Sequence, residues 1–367
     1  MRSTILALLL VLLSSDAFAI LVSPERELAP TTTERFVATN DGYVAFWSEG
    51  DETNAARIAL DGSIAGVWRP LFRGRFVNGA AFDGHSIVVV TQRFLGVPSP
   101  IEAFRVAADL STVSAAVPLG TGLAAQIVAD RGGFIVGWKI DPTADALGGT
   151  LVLSRLDASL AITRQRVLDL VPQPRAGSYV VAPDDGGALV AWNEMIACEH
   201  PAGFGCVINS SVRAVRVTDD LTIADPGGIS ITARGTSIGN AWWDGAEWLV
   251  VWVGDRNVNL SRIAPSGAVA QPEVLLPPQG RFYYIVHAIP LGDRIVAGAQ
   301  YAGSAGDPFG FALNDASLNF APSEPVNLVA GADGRMLLSY HRYPTVAAFF
   351  RIVDLNAEGG RQRPTRR

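Results

Sequence analysis

The stretch AWWDGAEWLVVWVGDRNVNLSRIAPSG, residues 241–267, reads as strand, turn, strand, loop, strand and turn, and the rest of the chain is made of variants of it. Asp244-Gly245 is a tight-turn dipeptide in which glycine accepts the positive φ of a hairpin. The run Trp248-Leu249-Val250-Val251-Trp252 is apolar without alternation, as in a strand covered on both faces. Arg262-Ile263 then stands ahead of a second turn, Ser266-Gly267, and the small residue Ala241 precedes Gly245 on the first strand.

Ala-x-x-x-Gly followed by an apolar strand recurs at Ala38–Gly42, Ala80–Gly84, Ala129–Gly133, Ala182–Gly186, Ala241–Gly245, Ala288–Gly292 and Ala330–Gly334, spaced by 42 to 59 residues. Four of the strands that follow end in tryptophan: Trp47, Trp138, Trp192 and Trp252. An arginine and an apolar residue precede an Asp or Ser turn at Arg57, Arg105, Arg155, Arg216 and Arg262; Arg351 continues the series more loosely. A period of about 40 to 60 residues with up to four short strands per unit is the grammar of small sheets stacked around an axis. On these residues the chain resembles the β-propeller superfamily over residues 20–358. The first copy, Asn40–Gly62, is similar to blades of TolB-type propellers, although the other copies lack that family's Pro-Asp-Gly turn. WD40 dipeptides, sialidase-type Asp boxes and the FG-GAP calcium pattern are absent.

The resemblance implies an all-β, seven-bladed propeller whose first strands line a crowded axis, where alanine fits and bulk does not. Tryptophans and apolar runs are then packing between blades rather than carbohydrate platforms. The seventh copy ends near Leu355 without a fourth strand and is followed by a polar tail, residues 359–367. Residues 20–23, Ile-Leu-Val-Ser, are expected to complete that last sheet and so remove an open edge.

Residues 1–19 have a basic start, an apolar run and the small-residue pattern Ala17-Phe18-Ala19 of a secretory leader, which predicts a secreted or periplasmic protein. No other segment reaches the roughly 18 apolar residues of a membrane-spanning helix. The chain has 367 residues, 49% of them hydrophobic, with 37 glycines and 22 prolines, which suits many short strands joined by turns. Its formal net charge of -6 argues against nucleic acid as a partner. In an oxidising compartment the two cysteines, Cys198 and Cys206, are expected to form a disulfide.

Second-to-third strand loops are the long ones, residues 93–101, 139–149, 193–211 and 300–308, and long loops on a rigid scaffold are where binding resides. The longest carries Glu194, Glu199, His200 and Phe204 on a knob braced by the cysteines, the candidate surface for a protein or glycan partner. Catalytic readings find little material. The histidines His85, His200, His287 and His341 are scattered over four copies, and no serine lies in a nucleophile elbow. No Gly-rich phosphate loop opens a helix, so no cofactor is expected. Asp141, Thr143 and Asp145, or Asp184 and Asp185, have the oxygen chemistry of a calcium site but not its full pattern; they read as solvated turn acids, with no metal. The expected function is a non-enzymatic binding or scaffold module. The alternative is an extracellular polysaccharide hydrolase or lyase using axial carboxylates, with Glu49 and Glu194 as the candidate pair. Asn209 and Asn259 match the glycosylation acceptor pattern and are read as chance matches.

Overall fold

A computed structural model describes residues 21–29, 34–94, 97–140, 150–168, 176–198, 208–235, 237–254, 256–277, 282–291, 294–302, 310–313, 324–331, 334–342 and 347–354. The leader, Ile20, the tail and the whole of 199–207 therefore lie outside the described residues, among which no α-helix occurs. After Leu21–Val22 (β1) and Arg26–Ala29 (β2), an antiparallel sheet runs in chain order through Glu34–Thr39 (β3), Gly42–Glu49 (β4), Glu52–Ala59 (β5) and Ile64–Arg73 (β6). Phe76–Phe82 (β7), Ser86–Gln92 (β8), Ser99–Ala107 (β9) and Val117–Asp130 (β10) follow, then Gly133–Ile140 (β11), Thr150–Asp157 (β12) and Ile162–Leu168 (β13). These seven strands share one hydrogen-bonded path because β10 serves twice. Its Val117–Gly122 part pairs with β9 and its Leu123–Asp130 part with β11, with a register shift and Ala124 at φ 54° where the chain bends.

Two four-stranded sheets come next: Ala176–Pro183 (β14), Gly187–Cys198 (β15), Ile208–Thr218 (β16) and Ile229–Thr232 (β17), then Ser237–Trp243 (β18), Trp248–Gly254 (β19), Asn257–Ile263 (β20) and Glu273–Leu276 (β21). Phe282–Leu291 (β22), Arg294–Ala302 (β23) and Gly310–Leu313 (β24) form a three-stranded sheet among the described residues. Glu324–Ala330 (β25), Arg335–Arg342 (β26) and Ala347–Asp354 (β27) make the last one.

That last sheet is closed by the chain's beginning. Leu21 pairs with Asp354 and Val22 with Val353, and Ser23 both donates its N–H to Ile352 O and accepts the Ile352 N–H on its hydroxyl. The clasp is longer than the four residues expected, since β2 also pairs with β27 and buries Leu28 among Tyr43, Trp47 and Phe350. First strands then form a closed circuit: β3 lies beside β7, β7 beside β10, β10 beside β14, β14 beside β18, β18 beside β22, β22 beside β25, and β25 beside β3. The molecule is an all-β, propeller-like ring of sheets.

Apolar clusters fill the seams of this circuit, for instance Val44, Phe46 and Val89 between the first two sheets and Leu249, Val251 and Ala297 between those of β19 and β23. Trp47, Trp138, Trp192 and Trp252 are all buried, each against the sheet that precedes its own. Burial of such a side chain contributes on the order of 2–3 kcal/mol, so the runs without alternation are explained by sheets covered on both faces.

The alanines need a correction. Ala38, Ala80, Ala129, Ala241, Ala288 and Ala330 pack toward the preceding sheet, whereas Ala182 belongs to the seam with the following one. The reason is that the glycine of the pattern does not hold one fixed place in the turn. Gly42 and Gly133 open the second strand after two-residue turns, where a Cβ would stand about 2 Å from the Ile58 or Leu156 carbonyl oxygen. In the turns after Phe82, Pro183 and Trp243 the loop has four residues; the glycine of the pattern is the second of them at Gly84 and Gly245 but the third at Gly186, which moves Ala182 one place along its strand relative to Ala80 and Ala241. A shift of one position reverses the face.

Candidate functional site

The ring has two ends. At the long-loop end, β15 and β16 continue as a two-stranded ribbon, with Met195 to Cys198 paired to Ser210 to Ile208. This lies beyond the last pair with β14, Ala176 to Glu194, and beyond the last pair with β17, Val212 to Thr232. The ribbon base is polar and closed: Ser211 Oγ donates to Glu194 Oε2 at 2.9 Å, and Arg213 lies 3.8 Å from the same oxygen. Asn193 Oδ1 accepts both the N–H and the hydroxyl of Ser178. Glu194 is thus a buried carboxylate under the ribbon. Glu199, His200, Phe204 and Cys206 lie outside the described residues, and of Cys198 only the backbone pairing is described.

Other acids at this end are similarly engaged or apart. Glu102 holds Arg75 at 2.7 Å, and Glu49 is exposed at the end of β4, three steps along the circuit of first strands from the sheet of Glu194. Lys139, the chain's single lysine, is buried at the end of β11, and that burial lowers its pKa. Asn259 is buried and donates to the Gly254 and Asn257 carbonyls, so its amide is not presented to solvent in the folded chain. Asp141, Thr143 and Asp145 lie outside the described residues.

Polar side chains of the first strands tie sheet to sheet. Arg35 Nε donates to Asn78 O, Gln126 Nε2 to Tyr179 O, and Asn240 Oδ1 accepts the Ala288 N–H. His287, half-buried beside them, has its pKa pushed down to about 4, first by burial and then by the Arg35 charge. It is therefore a neutral imidazole at pH 7.

At the short-turn end the arginines of the third strands do one job repeatedly. Arg57 lies 2.6 Å from Asp41, Arg105 2.8 Å from Asp83, Arg155 2.7 Å from Asp130 and Arg262 3.6 Å from Asp244, each acid flanking the first turn of the same sheet. The guanidinium groups also reach forward to the next sheet, Arg105 to Ala158 O and Arg155 to Asp219 at 3.1 Å. This clamp is what the arginine series in the sequence encodes. Arg351 is not part of it: Ile352 occupies the equivalent ladder position, and Arg351 instead meets Glu25 and Tyr340 at the clasp.

The acids of this end are tuned by the same contacts. Burial alone would raise Asp83, but hydrogen bonds from the Ser86 N–H, the Arg105 guanidinium and the His85 N–H outweigh it and hold the carboxyl at about 2. Asp61, Asp109 and Asp157 are held below the usual carboxylate range first by the hydroxyls of Ser63, Ser111 and Ser159, two residues on.

In the sheet of β14–β17 the clamp is broken. Arg216 is taken by Asp225, with Nη2 at 2.5 Å and Nε at 2.8 Å, and reaches forward to Pro265 O. Asp184, where the clamped acid would stand, accepts only the Gly186 N–H among the described residues. Beside it opens a cavity of about 330 Å³, whose walls include Phe82, Asp83, Asp130, Pro183, Asp184 and Trp243. Phe82, Asp130, Pro183 and Trp243 are the last residues of four successive first strands, so the cavity sits at the axial mouth of the short-turn end. Sequence reading placed the arginines in their copies but gave them no partner; the extra Asp225 of the fourth copy was the available signal.

Among the described residues no group of three or more His, Cys, Asp or Glu side chains converges to hold a metal ion. No family model matches the chain, and no curated protein matches it by sequence. Solved structures do match in fold. Hydrazine synthase of Kuenenia stuttgartiensis is 11% identical at a TM-score of 0.56, over 86% of this chain and 94% of that one. YCF48 bound to D1 peptide is 12% identical at 0.52, over 91% and 96%. Penicillium chrysogenum alpha-L-arabinanase complexed with arabinobiose is 11% identical at 0.50, over 80% and 98%. These neighbours are β-propeller proteins, and the chain has the fold of that superfamily.

Proposed function

We propose that this chain is an exported, seven-bladed β-propeller acting as a non-enzymatic binding module, with a protein or glycan partner engaged at the long-loop end. The closed circuit of first strands and the apolar seams between sheets support the blade count, with β10 shared by two blades and β1 and β2 completing the last. The observation that carries the binding reading is the β15–β16 ribbon, a paired stalk standing clear of its neighbouring strands and ending in the 199–207 loop. A Cys198–Cys206 disulfide would fasten its tip, as suits a protein routed out of the cytosol by residues 1–19.

Fold gives no vote on chemistry, because a peptide-bound protein and an arabinanase share it. The residues favour binding. Glycosidic cleavage needs two carboxylates roughly 5–10 Å apart, one of them free to protonate a leaving group. Of the acids described at the long-loop end, Glu102 and Glu194 are held by Arg75 and by Ser211 with Arg213. The test is to replace residues 199–207 by Asn-Gly, a two-residue hairpin turn that preserves the Cys198–Ile208 pairing. A partner from envelope extracts or a glycan array should bind the intact chain and lose at least tenfold in affinity for the shortened one, with thermal unfolding nearly unchanged. Undiminished binding by the shortened chain would remove the ribbon from the account, and polysaccharide cleavage by the intact chain would replace the reading with the hydrolase.

A further inference from the structure

We propose that the cavity at the short-turn end binds a monovalent organic cation with an apolar stem, such as an arginine side chain or a free alkylguanidinium, with Asp184 as counter-ion and Trp243 and Phe82 as walls. The site is on the opposite end from the ribbon, so it stands or falls independently of the partner proposed there.

The argument starts from a repeat and its exception. In the sheets of β3, β7, β10 and β18, the aspartate beside the first turn has an arginine from its own third strand. Around the cavity, Asp83 and Asp130 are neutralised in this way by Arg105 and Arg155, and exposed Asp185 pairs with Arg131. Among the described residues Asp184 alone of the lining acids has no cation, because Asp225 holds Arg216 away from it with two hydrogen bonds. One negative charge is therefore left unmatched at the wall of a concave space.

The remaining walls are apolar: Phe82, Ala129, Pro183 and the Trp243 ring, which is fixed against Trp248 with centroids 4.8 Å apart. A volume of about 330 Å³ is at the lower end of small-ligand sites, and charged and apolar residues share its lining. A carboxylate in a space walled partly by aromatic side chains favours a cation with an apolar stem, chiefly by charge. A metal ion is disfavoured because no three ligating side chains converge among the described residues. An anion would meet four carboxylates.

The experiment titrates the purified full chain with n-butylguanidinium and, separately, with n-butylurea, its neutral counterpart, by calorimetry at low salt. Butylguanidinium is expected to bind at least tenfold more tightly. Asp184→Asn should abolish that preference, Trp243→Ala should weaken butylguanidinium binding severalfold, and Asp41→Asn, a clamped counterpart in another sheet, should change neither. Circular dichroism melts establish that each variant is folded. Acetyl-Gly-Arg-Gly-amide, used as a second probe, distinguishes the sources: binding at least as tight as butylguanidinium, with the same loss in Asp184→Asn, assigns a peptide arginine, and much weaker binding assigns a free small cation. Equal affinity for the guanidinium and the urea, or a preference that survives in Asp184→Asn, would overturn the proposal.

Discussion

At the short-turn end, sheet after sheet repeats one device, an arginine of the third strand holding an aspartate of the first turn and reaching toward the next sheet. At the long-loop end nothing repeats in this way among the described residues: Asn193 serves Ser178, Glu194 serves Ser211, Glu102 serves Arg75, and one pair of the described strands runs on as a ribbon. The difference separates what the ring needs from what this protein adds to it. A contact that recurs in successive units is a condition of stacking sheets, and each copy is a small part of stability. A contact that appears once, or a recurring one that fails once, is where selection has asked for something besides assembly. By that measure the ribbon and the unclamped Asp184 are the informative places, one at each end.

Both ends rest on the seams, so the largest effect should come from one of them. Trp192→Ala, which empties a side chain only 1% exposed between the β11 and β15 sheets, should cost about 3–5 kcal/mol in urea unfolding. A loss below about 1 kcal/mol would mean the seams are not what holds the ring. Next comes the clamp, whose worth should follow burial. In Arg155→Ala, Asp130, with a side chain 5% exposed, is left without its cation, and the change should cost about 2–4 kcal/mol. Arg57→Ala, whose Asp41 side chain is 63% exposed, should cost less than about 1 kcal/mol. Equal costs would break the idea that the clamps are graded by burial.

The smallest of these effects is read by pH. The folded Asp83 carboxyl is depressed to about 2, below its ordinary value near 4, so the unfolded chain binds the proton more readily. Its contribution is fully present above about pH 4 and is lost as the pH falls toward 2, at most about 2 kcal/mol. Removing the partner in Arg105→Ala should flatten this part of the acid unfolding curve, measured as the stability difference between pH 5 and pH 2.5. An unchanged slope would place the depression on the Ser86 and His85 N–H groups alone, and would separate the turn from the clamp.

How much of this was legible beforehand varies with the kind of signal. Strand runs such as Trp248–Trp252 and Tyr43–Trp47 declared two-sided burial directly, because a strand covered on both faces has no position left for a polar side chain. The clasp was foreseeable from an unpaired edge, although Leu28 and β2 extend it past the four residues first expected. The alanine pattern misled at Ala182, since spacing along the chain does not tell where in the turn its glycine stands, and Gly186 comes one place later than Gly84 and Gly245 do in turns of the same length. The candidate surface was sought among the long loops, where Glu194 proves to be buried, whereas the cavity opened among the short turns.

The sequence alone determined the unit, its recurrence and the order of its strands, because burial on two faces and turn chemistry are local demands written residue by residue. Only the tertiary structure decided which charges meet. Arg216 and Asp184 stand in their copy just as Arg105 and Asp83 do in theirs, and nothing in that spacing tells that Asp225, nine residues further on, will fold back and take the arginine. Pairing energy depends on distance and burial in three dimensions, and both are settled by how the sheets close on one another.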